Sequence, residues 1–316
     1  MSASVSRETT GTVGRTVSRE TWPAPPMPRV MAVANQKGGV GKTTTTVNVA
    51  VALAQHGLDV LVVDLDPQGN ASTAFGLEHH RGVPSSYDVL VSGRAIAEVA
   101  TPVTEVPGLT VVPATIDLAG AEIELVSFVA RETRLRRALA AYPAAVDYVL
   151  IDCPPSLGLL TMNGLVAARE VLLPLQCEYY ALEGVTQLLG SIELMQAHFN
   201  PDLQVSTVLL TMYDGRTRLA DQVVAEARAH FAERVLKAVV PRSVRVSEAP
   251  GYGQSVLQYD PGSRGAVAYR DAACELAFRG ADMPVPAGHA DGAGDGTDDP
   301  TPSARPGAAF GGSVDI

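Results

Sequence analysis

Apolar residues along this chain alternate between two rhythms. Short β-branched runs, VMAVA at 30 to 34, VLVVD at 60 to 64, LTVVP at 109 to 113, YVLID at 148 to 152, EVLLPL at 170 to 175, VSTVLLT at 205 to 211 and VLKAVV at 235 to 240, are apolar at nearly every position. A strand that is apolar on both faces needs cover on both, as in a parallel sheet flanked by helices. Between these runs lie longer segments with apolar residues at helical spacing, such as TTTTVNVAVALAQHG, with Gly57 as a stop, and LEGVTQLLGSIELMQAHF. This alternation reads as βαβ units. It predicts a single α/β domain over residues 29 to 281, with a doubly wound, mostly parallel sheet.

The two ends have neither rhythm. Residues 1 to 28 are rich in Ser, Thr and Arg and close on WPAPPMP, a composition that predicts a disordered leader. Residues 282 to 316 are dominated by Gly, Pro, Ala and Asp and predict a disordered acidic tail, because they offer too little apolar area to offset chain entropy.

Composition narrows the class. The chain has 316 residues, 46% of them hydrophobic, which is enough for a large core. It contains no run of about 18 apolar residues and no apolar block near its start, so a cytoplasmic protein is expected. Cys153, Cys177 and Cys274 lie far apart without a C-x-x-C pair, which argues for buried thiols rather than a disulfide or zinc framework. A formal charge of −10 excludes a uniformly basic surface, though not a local basic face.

The chemistry is concentrated in ANQKGGVGKTTTT, residues 34 to 46. A strand, a glycine-rich turn and a helical run follow one another, the context in which backbone N–H groups and a helix dipole hold phosphate. Gly38, Gly39 and Gly41 let the turn wrap. Lys42 is placed to neutralise the β- and γ-oxygens, and Thr43 to offer its hydroxyl to Mg²⁺. The usual spacing asks for glycine at position 36, where the chain has Gln36 followed by a second lysine, Lys37. A lysine on the outer edge of the loop can add its charge to a phosphate only when a partner docks.

Carboxylates end two of the predicted strands, where ligands bind in open α/β sheets. Asp152 closes YVLID and suits an outer carboxylate of the Mg²⁺ site. VVDLDPQGN carries Asp64 at the strand end and Asp66 on the loop beyond. Asp66 is better placed to orient an attacking water, whereas Asp64 reads equally well as a cap.

Taken together, KGGVGKTTT, DLDPQGNAS, IDCPPSLGLLTMNGL, PLQCEYYALEGV, LLTMYDGRTRLADQV and VPRSVRVSEAPGYGQSVLQYDPGSRGA resemble the ParA/Soj chromosome-partitioning ATPases. These belong to the deviant Walker A group of P-loop proteins, with the septum-site ATPase MinD and the nitrogenase iron protein. The resemblance implies an ATP- and Mg²⁺-dependent ATPase, weak without its partner, that closes as an ATP-sandwich homodimer. It matches Lys37 to the signature lysine that reaches the other subunit's phosphates, Lys42 to the loop lysine acting within its own chain, and Thr44 to a phosphate contact. The nucleotide-binding stretch is thus Lys37, Gly38, Gly39, Val40, Gly41, Lys42, Thr43 and Thr44. The catalytic residues are Lys37, Lys42 and Asp66; Thr43, Asp66 and Asp152 form the metal site, Asp152 being the Walker B carboxylate. Pro241 and Arg242 match the segment that holds adenine.

Three functions share this scaffold. A MinD-like membrane ATPase needs a basic amphipathic C-terminal helix, which the acidic tail does not offer, and an iron-sulfur reductase needs a cysteine pattern that Cys153 and Cys177 do not match. Partition needs sequence-nonspecific binding to double-stranded DNA, and residues 211 to 270 hold nine Lys and Arg against six Asp and Glu. Arg216, Arg218 and Arg245 are the candidate DNA contacts. The implied partners are a second copy of the chain, nucleoid DNA and a ParB-like centromere-binding protein that stimulates hydrolysis. Only a short leader precedes the loop, so operator-specific binding is not expected. The alternative is a MinD-like or cargo-positioning ATPase that regulates division or places a protein assembly.

Overall fold

The structure, a computed structural model, describes residues 21–178 and 181–283. All seven expected strands form: β1 Arg29–Val33, β2 Val60–Asp64, β4 Leu109–Val112, β5 Tyr148–Asp152, β6 Glu170–Gln176, β7 Gln204–Tyr213 and β8 Val235–Pro241. An eighth, the two-residue β3 (Thr101–Pro102), pairs antiparallel at one edge. Proline on so short a run gives no periodic signal, which is why pattern reading passes over it. The sheet order is β3-β4-β2-β5-β1-β6-β7-β8, and all pairs except β3–β4 are parallel.

Helices cover both faces: α1 Lys42–Gln55, α2 Asn70–Ala74, α3 Ile96–Val99, α4 Leu118–Leu125, α5 Arg134–Ala140, α6 Leu159–Ala167, α7 Ala181–His198, α8 Arg218–Phe231, α9 Val244–Glu248, α10 Val256–Tyr259 and α11 Arg264–Gly280. Strand residues alternate between two cores. Ala32, Leu61, Val63 and Ile151 face the side of α4 to α8. Met31, Val33, Val62 and Leu150 face the side of α1 and α11. This period of two with both faces apolar is the reason the strands read as continuous hydrophobic runs.

Helix α1 is rich in Thr and Val, which are poor helix formers. It stands because it is buried almost all round, from Thr45 to Ala54, between the sheet and α11. It ends at Gln55, and Gly57 takes the left-handed φ of +86° that turns the chain away, as its sequence position suggests.

The leader needs a correction over its last eight residues. Residues 1–20 lie outside the described residues, as does the tail from 284. Residues 21–28, expected to be disordered, run against the domain. The Trp22 indole is buried and stacks on the His56 ring, centroids 3.7 Å apart and planes 5° from parallel, and its backbone N–H donates to the His56 carbonyl at 3.1 Å. A prolyl segment has little chain entropy to lose, and one indole brings a large apolar area, so the strap orders without any periodic pattern.

Below the sheet, Arg29 ties three elements together. Its guanidinium donates to both Glu170 oxygens, at 2.8 and 2.5 Å, and to the Leu276 carbonyl at 2.9 Å. No described helix is long and apolar enough to cross a membrane.

Candidate functional site

Strand β1 sits between β5 and β6, where consecutive connections leave in opposite directions, and its carboxyl end opens into the crevice this creates. The loop of residues 34 to 41 fills that position. Asn35 is buried and pins its start: its side-chain amide donates to the Pro174 carbonyl at 2.8 Å, and its oxygen accepts from the Lys37 N–H at 3.0 Å. Thr211 on β7 holds the far side, donating to the Val40 carbonyl at 2.9 Å. Gly39 and Gly41 adopt φ of +75° and +89°, which a residue with a side chain rarely adopts. A Cβ at Gly38 or Gly39 would meet nothing within 4 Å, so packing does not demand glycine there. The bare backbone instead leaves an open cradle at the start of a 14-residue helix.

The two lysines of the loop have opposite surroundings. Lys42 is 7% exposed, with its Nζ 3.5 Å from the Lys37 carbonyl; burial pushes its pKa down, and Asp152 partly offsets this. Lys37 stands on the outer edge, a third exposed, with its Nζ 3.8 Å from Glu178.

Asp64 and Asp152 lie opposite each other on β2 and β5, both fully buried. Their roles divide by hydrogen bonding. Asp64 accepts from the Asp66 N–H at 3.1 Å and from the Ser72 N–H and hydroxyl at 3.1 and 2.8 Å, so it organises the turn into α2. That settles its sequence ambiguity toward the cap-like role. Asp152 accepts from the Thr46 hydroxyl at 3.1 Å through one oxygen, while the other, Oδ2, is buried without a partner. Burial and then the Asp64 charge push the Asp152 carboxyl well above the ordinary carboxylate range, against the pull of the Thr43 and Thr46 hydroxyls. An orphaned buried carboxylate oxygen beside the Thr43 hydroxyl fits a divalent cation. No group of three His, Cys, Asp or Glu side chains among the described residues could hold a metal alone, which suits a magnesium ion that takes most of its ligands from phosphate and water.

Asp66 is on the loop after β2, nearly buried, with Oδ1 accepting from the Gln68 N–H at 3.0 Å. Cys153 is buried with its sulfur against Gly164, a packing thiol as composition suggested. Pro241 ends β8, and Arg242 follows, its N–H donating to the Tyr213 carbonyl at 2.9 Å and its guanidinium to Glu178 at 3.0 Å. Glu178, Asn35, Thr46 and Ser72 escape sequence reading. PLQCEYYALEGV contains Glu178, yet nothing local shows that its carboxylate meets Lys37.

The candidate DNA contacts are less uniform than their charges suggest. Arg216 is clamped by Asp214 through bonds of 2.9 and 2.7 Å, which hold the Asp214 pKa down to about 2. Arg245 pairs with Glu248 at 3.0 Å and with Asp260 at 3.4 Å. Arg218 opens α8, exposed, and makes no ion pair with any described residue.

Comparison with known proteins finds related chains over most of the domain. A family described as an AAA domain matches residues 28–205. The sporulation initiation inhibitor protein Soj of Bacillus subtilis is 52% identical over 254 residues, covering 80% of this chain and all of that protein. The chromosome partitioning protein ParA of Myxococcus xanthus is 50% identical over 251 residues, 79% of this chain and 88% of that one. Among solved structures, that of cobyrinic acid a,c-diamide synthase from Mycobacterium smegmatis, with bound ADP and magnesium, superposes with a TM-score of 0.70 at 41% identity, covering 82% of this chain and 98% of that one.

Proposed function

The chain belongs to the ParA/Soj family of P-loop ATPases, and from that membership we propose that it hydrolyses ATP to control pairing of two copies on DNA. The observation that carries the reading is the contrast between the loop lysines: Lys42 is buried inside its own site, and Lys37 faces outward. The working unit is residues 29–281 with the strap before it.

The N–H groups from Gly38 to Thr44 and the Lys42 ammonium hold the phosphates of ATP, and Pro241 and Arg242 border the base. Thr43 and Asp152 would hold magnesium, which would draw charge from the phosphate oxygens. Asp66 orients the attacking water at the γ-phosphorus, and the bond to the ADP oxygen breaks. Little covalent work is left for the protein, so charge placement sets the rate. Lys37 brings that charge to the neighbour's phosphates, and a cation supplied in trans is worth on the order of 10³ to 10⁵ in rate. ATP occupancy and pairing thereby favour each other.

Pairing doubles the basic residues offered to one duplex, and because affinity for phosphate backbone rises steeply with the number of contacts, the dimer holds DNA where the single chain does not. Arg218 is the best-placed contact, with Arg216 and Arg245 contributing less because neighbouring carboxylates engage them. A ParB-like partner then stimulates hydrolysis and releases the dimer from the nucleoid.

The test is cosedimentation with random-sequence duplex DNA at moderate salt, with ATP and magnesium, with ADP, and without nucleotide. Binding that needs ATP supports the reading; equal binding in all three removes its core. ATP-dependent pelleting with anionic liposomes instead would favour the MinD-like alternative.

A further inference from the structure

Lys37 is not idle in the single chain. Glu178, just past the end of β6, gives each carboxylate oxygen to a different cation: Oε2 lies 3.8 Å from Lys37 Nζ, and Oε1 accepts from Arg242 Nη2 at 3.0 Å. One side chain thus bridges the phosphate loop, the β6 end and the segment after β8. The neighbouring Gln36 amide leans the same way, donating to the Ser191 hydroxyl on α7 at 3.4 Å. The outer edge of the loop is held against its own subunit on two contacts.

We propose that Glu178 is a latch that parks Lys37 within its own chain and must release it before two subunits can pair. Lys37 cannot lie on Glu178 and on a neighbour's phosphates at once. The parked contact therefore competes with pairing, and a more highly charged nucleotide competes better with the carboxylate for the same cations. Lys37 is held by that one weak pair, and the triphosphate of a neighbouring subunit, with its fuller charge, draws it away. ADP, with less charge, does so less. Glu178 acts here as a positioning residue, and it sharpens the nucleotide dependence of pairing that the proposed function requires.

All three side chains are partly exposed, so the effect is modest; an exposed pair of this kind shifts an equilibrium by no more than about fivefold. The test is the ATP concentration, with magnesium present, that gives half-maximal dimer in sedimentation velocity. Glu178→Gln, which keeps shape and removes charge, is expected to lower it by about two- to fivefold. Glu178→Asp should stay close to wild type, and in a Lys37→Ala background Glu178→Gln should change nothing. If wild type pairs with ATP and Glu178→Gln pairs equally well or less well, the latch is wrong while the functional reading stands. An effect of Glu178→Gln that persists without Lys37 also overturns it. Wild type that never pairs overturns the functional reading and the latch together.

Discussion

Replacing Asp152 with asparagine should make the nucleotide-free chain more stable and the nucleotide-bound chain less so. In the native site the carboxylate is fully buried, faces Asp64 on the next strand and satisfies only one of its oxygens. Asparagine keeps the shape and can still accept from Thr46, and in mildly alkaline buffer, where the native carboxyl ionises despite its raised pKa, it removes the buried charge and its repulsion. Relief of the buried charge, less what the new amide N–H groups lose for want of acceptors, is worth about 1 to 2 kcal/mol, and a domain of this size gains about 2 to 4 °C in Tm per kcal/mol. The free variant should melt about 2 to 8 °C above wild type. With ATP and magnesium at a hundred times Kd, wild type gains about 2.7 kcal/mol, or about 5 to 10 °C. The variant should lose the magnesium-dependent part of that gain. Thermal melts of both proteins, free, with ATP and EDTA, and with ATP and magnesium, measure each quantity. A free variant that melts below wild type would refute the account of Asp152 as an uncompensated buried charge; a full magnesium increment would refute its place in the metal site.

Three further outcomes follow from other contacts. Asp66→Ala should slow ATP hydrolysis by on the order of 10²-fold or more while leaving an ATP-bound dimer on DNA, and rapid turnover would remove Asp66 from the water-positioning role. Glu170→Gln should cost about 3 kcal/mol, since it leaves the Arg29 guanidinium short of its buried partner. Burial pushes the Glu170 carboxyl up, but the Arg29 hydrogen bond and charge outweigh it and its pKa is lowered. The stabilisation is therefore present above the ordinary carboxylate value of 4.5 and lost as pH falls through the lower folded value, so denaturation midpoints of wild type and variant should converge in acid. For DNA, Arg218→Ala should flatten the salt dependence of dimer binding by about 0.9 per lost phosphate contact, and Arg216→Ala by less, because Asp214 already engages that guanidinium. Equal slopes for the two variants would move the DNA face elsewhere.

What could be read along the chain was whatever has a local cause. Seven strands announce themselves because residues apolar on both faces need cover on both, and α1 begins where a glycine-rich turn leaves β1. Lys37, Lys42, Thr43 and Asp152 stand out because phosphate chemistry demands those residue types beside such a turn. The strap around Trp22 did not stand out, since a single indole makes no pattern, and β3 was too short to show one.

Other properties depend on partners far away in sequence. Asp64 and Asp152 look alike at the ends of two strands; only the Ser72 contacts on one and the orphaned oxygen on the other separate a carboxylate spent on the turn from one with an oxygen to spare. Arg216, Arg218 and Arg245 carry the same charge, and only folding reveals which of them a carboxylate already holds. The bridge from Lys37 through Glu178 to Arg242 joins three segments that meet only because β1, β6 and β8 end along the same edge of the sheet. Periodicity and short motifs are set by neighbouring dihedrals and burial, so the sheet and the phosphate loop are legible along the chain. Charge pairing and solvation are set by distance in space, so which of the charged groups are already engaged emerges once distant segments have packed together.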